Sequence, residues 1–144
     1  MTASFASQEW AGSLATRLQE SAKVRTESVT WIFGPIVLVV DADEAQGTAA
    51  TALRLDVHEG SVRGVSVVSP DLAGRVPFAI GGSIARWQSV FGGALDLVDG
   101  ALEAKLRVRG DLPTLARHRA LLQSITAAGG EVETDWPVAD APAR

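Results

Sequence analysis

From Ala52 to His58 apolar and polar residues alternate without a break, with Leu53, Leu55 and Val57 on one side and Arg54, Asp56 and His58 on the other. Side chains of a strand point alternately to its two faces, so this segment reads as a strand in a sheet with one wet face. Glu59-Gly60 is a two-residue hairpin signal, and Val62 to Val68 follows as the antiparallel partner. The rest of the chain has to be arranged around that hairpin. Upstream, Val29 to Val40 is dense in β-branched and aromatic residues but is interrupted by Gly34-Pro35. Proline cannot donate to a sheet ladder, so the strand proper is expected from Ile36 to Asp41. Downstream, Val76, Phe78 and Ile80 alternate as a fourth strand. A fifth is expected with Leu106 and Val108 inward and Lys105, Arg107 and Arg109 outward.

Helical spacing frames these strands. Trp10, Leu14, Leu18 and Ala22 recur at every fourth position, with Ser7 placed to cap the helix and Lys23 and Arg25 suited to its far end. Ser83 caps a short helix whose Ile84, Trp87 and Phe91 share a side, and Gly92-Gly93 stops it. Gly110-Asp111 opens a long final helix, with Pro113 in the tolerated first turn and Gly129-Gly130 as its end. The pattern predicts an α+β domain: about five strands in a mainly antiparallel sheet covered by helices. Because the fifth strand follows a helical crossover, one parallel pairing is expected there. Residues 1–132 are read as a single domain and 133–144, with two prolines and little periodicity, as a loose tail.

Composition removes several functional classes. The chain has no cysteine, so disulfides, thiolate metal sites and thiol nucleophiles are excluded. His58 and His118 are the two histidines and have no ligand-spaced companions, so neither a metal nor any other cofactor is expected. A net charge of −4 argues against a nucleic-acid partner. The opening ten residues carry no secretory pattern and no run approaches the ~20 apolar residues of a membrane-spanning helix, so a cytoplasmic monomer or homodimer is the expectation. Eleven of the thirteen basic residues are arginine, a bias associated with GC-rich bacterial genomes.

Two groups of residues stand out as candidate ligand contacts. Ile84, Trp87 and Phe91, with Leu95 and Leu102 close behind, form an aromatic and apolar stripe on a short glycine-flanked helix, suited either to core packing or to opening over a cavity. On the final helix Leu115, Leu122 and Ile125 make a stripe with His118 near its middle. His118 is read either as an edge histidine bonded to a backbone carbonyl or as a polar handle in an apolar pocket. Phe78 and Ile80 on the sheet, and Trp31 before it, complete the set.

From Ser83 to Gln123 the order of residues resembles the sterol-carrier-protein type-two family. Gly93, Leu95 and Asp96 match that family's segment after the short helix. Lys105, Leu106, Val108, Gly110 and Asp111 match its Gly-Lys-Leu-x-Val-x-Gly-Asp run into the last helix. Leu97 stands where proline is usual and Ala104 where glycine is usual. The resemblance implies an apolar tunnel between sheet and later helices, holding a lipid, fatty acyl group or sterol, and it carries over no catalytic residue. Three readings remain open: a non-catalytic carrier for an apolar or amphipathic small molecule, an accessory or dimerisation module with a filled cavity, and a cyclase- or isomerase-like enzyme using His118.

Overall fold

The computed structural model describes residues 2–137. It opens with a two-residue strand, β1 (Ala3–Ser4), followed by helices α1 (Gln8–Glu20) and α2 (Ala22–Glu27). Ser7 caps α1 as its type predicts, its hydroxyl accepting from the Trp10 amide at 3.1 Å. The expected single helix is broken, however. Ser21 leaves helical geometry and caps α2 through the Val24 amide. The break re-aims the chain, so Val24 is buried and Ala22, the expected fourth member of the stripe, is exposed.

The central sheet contains β2 (Ile36–Val40), β3 (Thr51–His58), β4 (Ser61–Val68), β5 (Phe78–Gly82) and β6 (Arg107–Arg109). Its spatial order is β4-β3-β2-β5-β6. The β3–β4 hairpin turns at Glu59-Gly60, both in the left-handed region (φ 39° and 92°), which is the backbone twist a tight hairpin needs. The parallel pairing lies elsewhere than expected: β2 runs parallel to β5, and β6 is antiparallel to β5. Between these last two strands lie α3 (Ile84–Phe91) and α4 (Leu97–Leu102). They return the chain to the end of the sheet it left, so Arg107 pairs beside Gly81. A helical crossover gives a parallel strand only when it carries the chain back along the whole sheet.

The long last helix is likewise two helices, α5 (Leu112–Arg117) and α6 (Arg119–Gly130), with His118 between them. The tail expected to be loose from 133 is ordered at its start. There β7 (Thr134–Asp135) pairs in parallel with β1, and Trp136 stacks on Phe5 with ring centroids 4.2 Å apart. Residues 138–144 of that expected tail lie outside the described ones.

Helices cover one face of the sheet, where Ile36, Leu38, Leu53, Leu55, Val57, Phe78 and Ile80 enter one continuous core. The opposite face is less wet than alternation suggested. A 3-10 segment, Pro70–Arg75, brings Leu72 and Ala73, with Val76 just after it, over Val37, Ala52 and Ala79. The central strands are therefore covered on both sides, while Arg54 and Asp56 remain partly exposed on β3. On the free edge of the sheet, α1 supplies side chains to the unpaired backbone of β4. Gln8 Oε1 accepts from the Val67 amide at 3.2 Å and Gln19 Nε2 donates to the Val62 carbonyl at 3.1 Å. Among the described residues no helix is long and apolar enough to cross a membrane.

Candidate ligand site between sheet and helices

The expected contacts fall into two aromatic groups at opposite parts of the core. Trp31 is fully buried, and its ring lies 5.2 Å from Phe78 and 5.1 Å from His118. Phe33 joins them, 5.7 Å from both Phe78 and His118. This group sits under the break between α5 and α6, which is where Leu115 is buried. The second group is built on α3. Trp87 and Phe91 are stacked at 5.9 Å, and Phe91 meets Trp10 and Phe5 edge-on at 5.3 and 5.8 Å.

The indole N–H of each of the three fully buried tryptophans has a partner. Trp31 Nε1 donates to the Gly34 carbonyl at 2.7 Å, Trp87 Nε1 to the Val39 carbonyl at 2.8 Å, and Trp10 Nε1 to Thr134 Oγ1 at 2.7 Å. The surfaces these rings turn inward are therefore apolar carbon, with no indole donor left to be compensated. His118 is half-buried and in contact at both ring nitrogens. Its Nδ1 is 2.9 Å from the Thr114 carbonyl and its Nε2 is 3.3 Å from Thr30 Oγ1. A carbonyl can only accept, so Nδ1 carries the proton and Nε2 is left to accept from the threonine hydroxyl.

Packing in this region is tight. Phe91 lies so close to Gly129 that a Cβ there would collide with its ring, which is why α3 and α6 can approach as they do. Ile84, Trp87, Leu115 and Leu122 are buried, and Ile80 is among the largest fully buried side chains. Two small clefts open on the surface beside this region. One, of about 270 Å³, is lined by Val90, Phe91, Leu95 and Ala127 with Asp96, Gln123 and Thr126 on its rim. The other, about 240 Å³, runs between Phe91, Gly129 and Trp136. Both fall short of the roughly 300 Å³ at which ligand pockets begin. Larger grooves, about 600 and 640 Å³, follow α1 on the surface and have charged and hydroxyl-bearing linings.

The rim of the first cleft is held by Asp96. Its carboxylate caps α4 by accepting from the Val98 and Asp99 amides, and it also accepts from Arg119 at 2.8 Å and Gln123 Nε2 at 2.9 Å. Partial burial pushes its pKa up. The Gln123 bond, the backbone amides and the Arg119 charge together outweigh that, leaving the group below the ordinary aspartate value. Leu95 sits beside this network, half-buried.

One expected contact faces solvent. Leu102, at the end of α4, is 63% exposed. Leu106, by contrast, is buried, its side chain lying directly over Gly100 and Gly82. Phe5, Trp10 and Trp136 belong to the second aromatic group, although sequence reasoning did not single them out for it. Trp10 was legible as a buried helix residue, but Phe5 and Trp136 lie in segments with no periodicity to reveal which way they face. Among the described residues no group of three acids or histidines is placed to hold a metal ion.

No protein-family model matches the chain, and no curated protein does. Solved structures do. The chain is similar to a sterol carrier protein 2, with a TM-score of 0.80 and 27% identity over 89% of this chain and 98% of that one. It is similar also to a conserved hypothetical protein of Thermus thermophilus, itself described as possibly a sterol carrier protein, with a TM-score of 0.81 and 25% identity over 94% of both chains. A ligand-free sterol carrier protein 2 from Yarrowia lipolytica shares the fold, at a TM-score of 0.53 and 16% identity over 82% of this chain and 87% of that one. The likeness first visible between Ser83 and Gln123 thus extends over nearly the whole chain, and its fold is that of the sterol-carrier-protein type-two family.

Proposed function

We propose that the chain is a binding or carrier protein for an apolar or amphipathic small molecule, such as a fatty acid or a sterol, taken up between the sheet and the α3 and α6 helices. The observation that supports this reading is the interior itself. Sheet and helices enclose one apolar core in which the three fully buried indoles have their N–H groups satisfied, and a cleft lined by Phe91 and Leu95 opens beside it. Likeness to sterol carrier proteins over most of the chain points the same way. Uptake then requires Phe91 and Leu95 to move aside, because the described conformation is closed. The polar lining at Asp96, Gln123 and Thr126 suits the hydroxyl end of such a ligand.

A second reading, an accessory or dimerisation module whose cavity is filled by side chains, is favoured by the ring-on-ring packing of Phe5, Trp10, Trp87 and Phe91. An enzyme using His118 as general acid or base draws less support, since both ring nitrogens are engaged by Thr114 and Thr30.

Thermal melting with and without oleate or cholesterol separates the two. A ligand at 100 times its dissociation constant stabilises the fold by about 2.7 kcal/mol, which raises the melting temperature by roughly 5 °C or more. Leu122→Trp places extra volume in the same interior and is expected to cost ~1–3 kcal/mol by overpacking. The diagnostic quantity is each protein's own shift on adding lipid. The carrier reading expects a rise in the wild type that is lost in Leu122→Trp; a wild type that never shifts supports the filled module.

A further inference from the structure

The cleft beside Phe91 and Leu95 has a polar side made of Asp96, Gln123 and Thr126. What these three can still bind is fixed by the bonds they already make. A carboxylate only accepts, so the Gln123 amide turns its NH2 group to Asp96 Oδ1, at 2.9 Å, and keeps its Oε1 and one N–H. The Thr126 hydroxyl gives its proton to the Gln123 backbone carbonyl at 3.1 Å and keeps only lone pairs. Asp96 Oδ2 takes three donors, the Val98 and Asp99 amides and Arg119, whereas Oδ1 takes Gln123 alone and has room for another. Three acceptors therefore stand against one donor.

The chain leaving α3 does not redress that balance. The amides of Gly93, Ala94 and Leu95 are spent on the carbonyls of Val90 and Ser89, at 3.2, 2.9 and 3.1 Å. Charge leans the same way. Among the described residues that line the cleft there is no lysine or arginine. Arg119 is bound to both Asp96 and Asp99, at 2.8 and 3.1 Å, so two carboxylates stand against one guanidinium. Although burial pushes its pKa up, Asp96 stays below the ordinary aspartate value through its Gln123 and amide bonds, and it is charged at neutral pH.

We infer that Asp96, Gln123 and Thr126 select the head end of the bound molecule, taking a neutral alcohol, a sterol or a long-chain alcohol, in preference to a carboxylate or an ester. A hydroxyl gives its proton to one of the three acceptors and accepts from the Gln123 N–H. An ester has no proton to give, so the acceptors lose water and gain nothing in return. A carboxylate lacks the proton as well and is repelled by Asp96. Fatty acids therefore enter more weakly, and the discrimination comes from what the lining refuses as much as from what it binds. This inference rests on the carrier reading above and narrows it.

Competition between lipids tests it. The full chain is incubated at neutral pH with an equimolar mixture of oleyl alcohol, methyl oleate and oleate delivered in cyclodextrin, then re-isolated, and its bound lipid is measured by mass spectrometry. The alcohol is expected to be retained over the other two by roughly tenfold. Gln123→Lys, at an exposed position, sets a cation beside Asp96 and should bring oleate level with the alcohol or above it. Thr126→Val removes one acceptor and should lower the alcohol relative to the ester. Ratios are compared across variants, so differences in delivery cancel. Cholesterol in a parallel mixture distinguishes a sterol hydroxyl from a chain alcohol, and either one retained over oleate and ester supports the inference. Equal retention of the three lipids by the wild type overturns it, as does a ratio that Gln123→Lys leaves unchanged. No lipid retained by any form contradicts the carrier reading and overturns the inference with it, whereas unselective retention leaves that reading standing.

Discussion

Asp96 holds together two helices that are distant in sequence, and it does so with one carboxylate. Four donors converge on it: two amides of α4, the Arg119 guanidinium and the Gln123 amide of α6. Removing it takes away a helix cap and an ion pair at once, so Asp96→Ala is expected to cost about 1–2 kcal/mol, the usual scale for a lost cap. Because its pKa is lowered on folding, the stabilisation is complete above the ordinary aspartate value of 3.8 and is lost as pH falls through the folded-state value. The difference in stability between wild type and Asp96→Ala should therefore shrink towards zero in acid below about pH 3.8, as read by urea unfolding at a series of pH values. A difference that persists unchanged there would mean the carboxylate charge is not what joins α4 to α6. Asp41, whose carboxylate is lowered chiefly by its bond to Arg107, adds to the same acid limb at the far edge of the sheet.

At the level of elements, α3 is the one expected to open first. It is eight residues long, stands between Gly81-Gly82 and Gly92-Gly93, and owes its place to side chains: Ile84, Trp87, Val90 and Phe91. Few backbone bonds tie it to its neighbours, so local opening should cost less than global unfolding. Amide exchange across Ile84–Phe91 is expected to be faster than across Leu53–Val57 in the ligand-free protein, and to slow when a lipid is bound. Equal protection of both segments without ligand would remove α3 as the gate. Elements also mark the limit of what the sequence makes legible. Alternation and caps place β3, β4, α1 and α3 because these signals are local: Ser7 needs only the Trp10 amide and Glu59-Gly60 only its own backbone. The breaks at Ser21 and His118 were not legible, since apolar spacing continues through both. What separates the helices is tertiary: Val24 buried beneath α2 in one case, His118 reaching Thr30 in the other. The same reason hid Phe5 and Trp136, whose partners lie at the opposite end of the chain.

For the whole molecule, the interior is apolar and closed, and the cleft beside it is too small to hold a ligand as it stands. Of the residues expected to contact a ligand, all but the exposed Leu102 are buried or half-buried, because helical and strand periods identify inward faces. Whether those faces touch one another or a guest is decided by volume, which periodicity does not encode. The most direct measurement is therefore a titration of the purified protein with a fluorescent fatty acid, followed by displacement with unlabelled fatty acid or sterol. Saturable uptake of one molecule per chain is expected, with a blue shift of the probe, energy transfer from the buried tryptophans, and full displacement by the competitor. Uptake that does not saturate, or none at all under conditions where the protein is folded, would contradict the carrier reading.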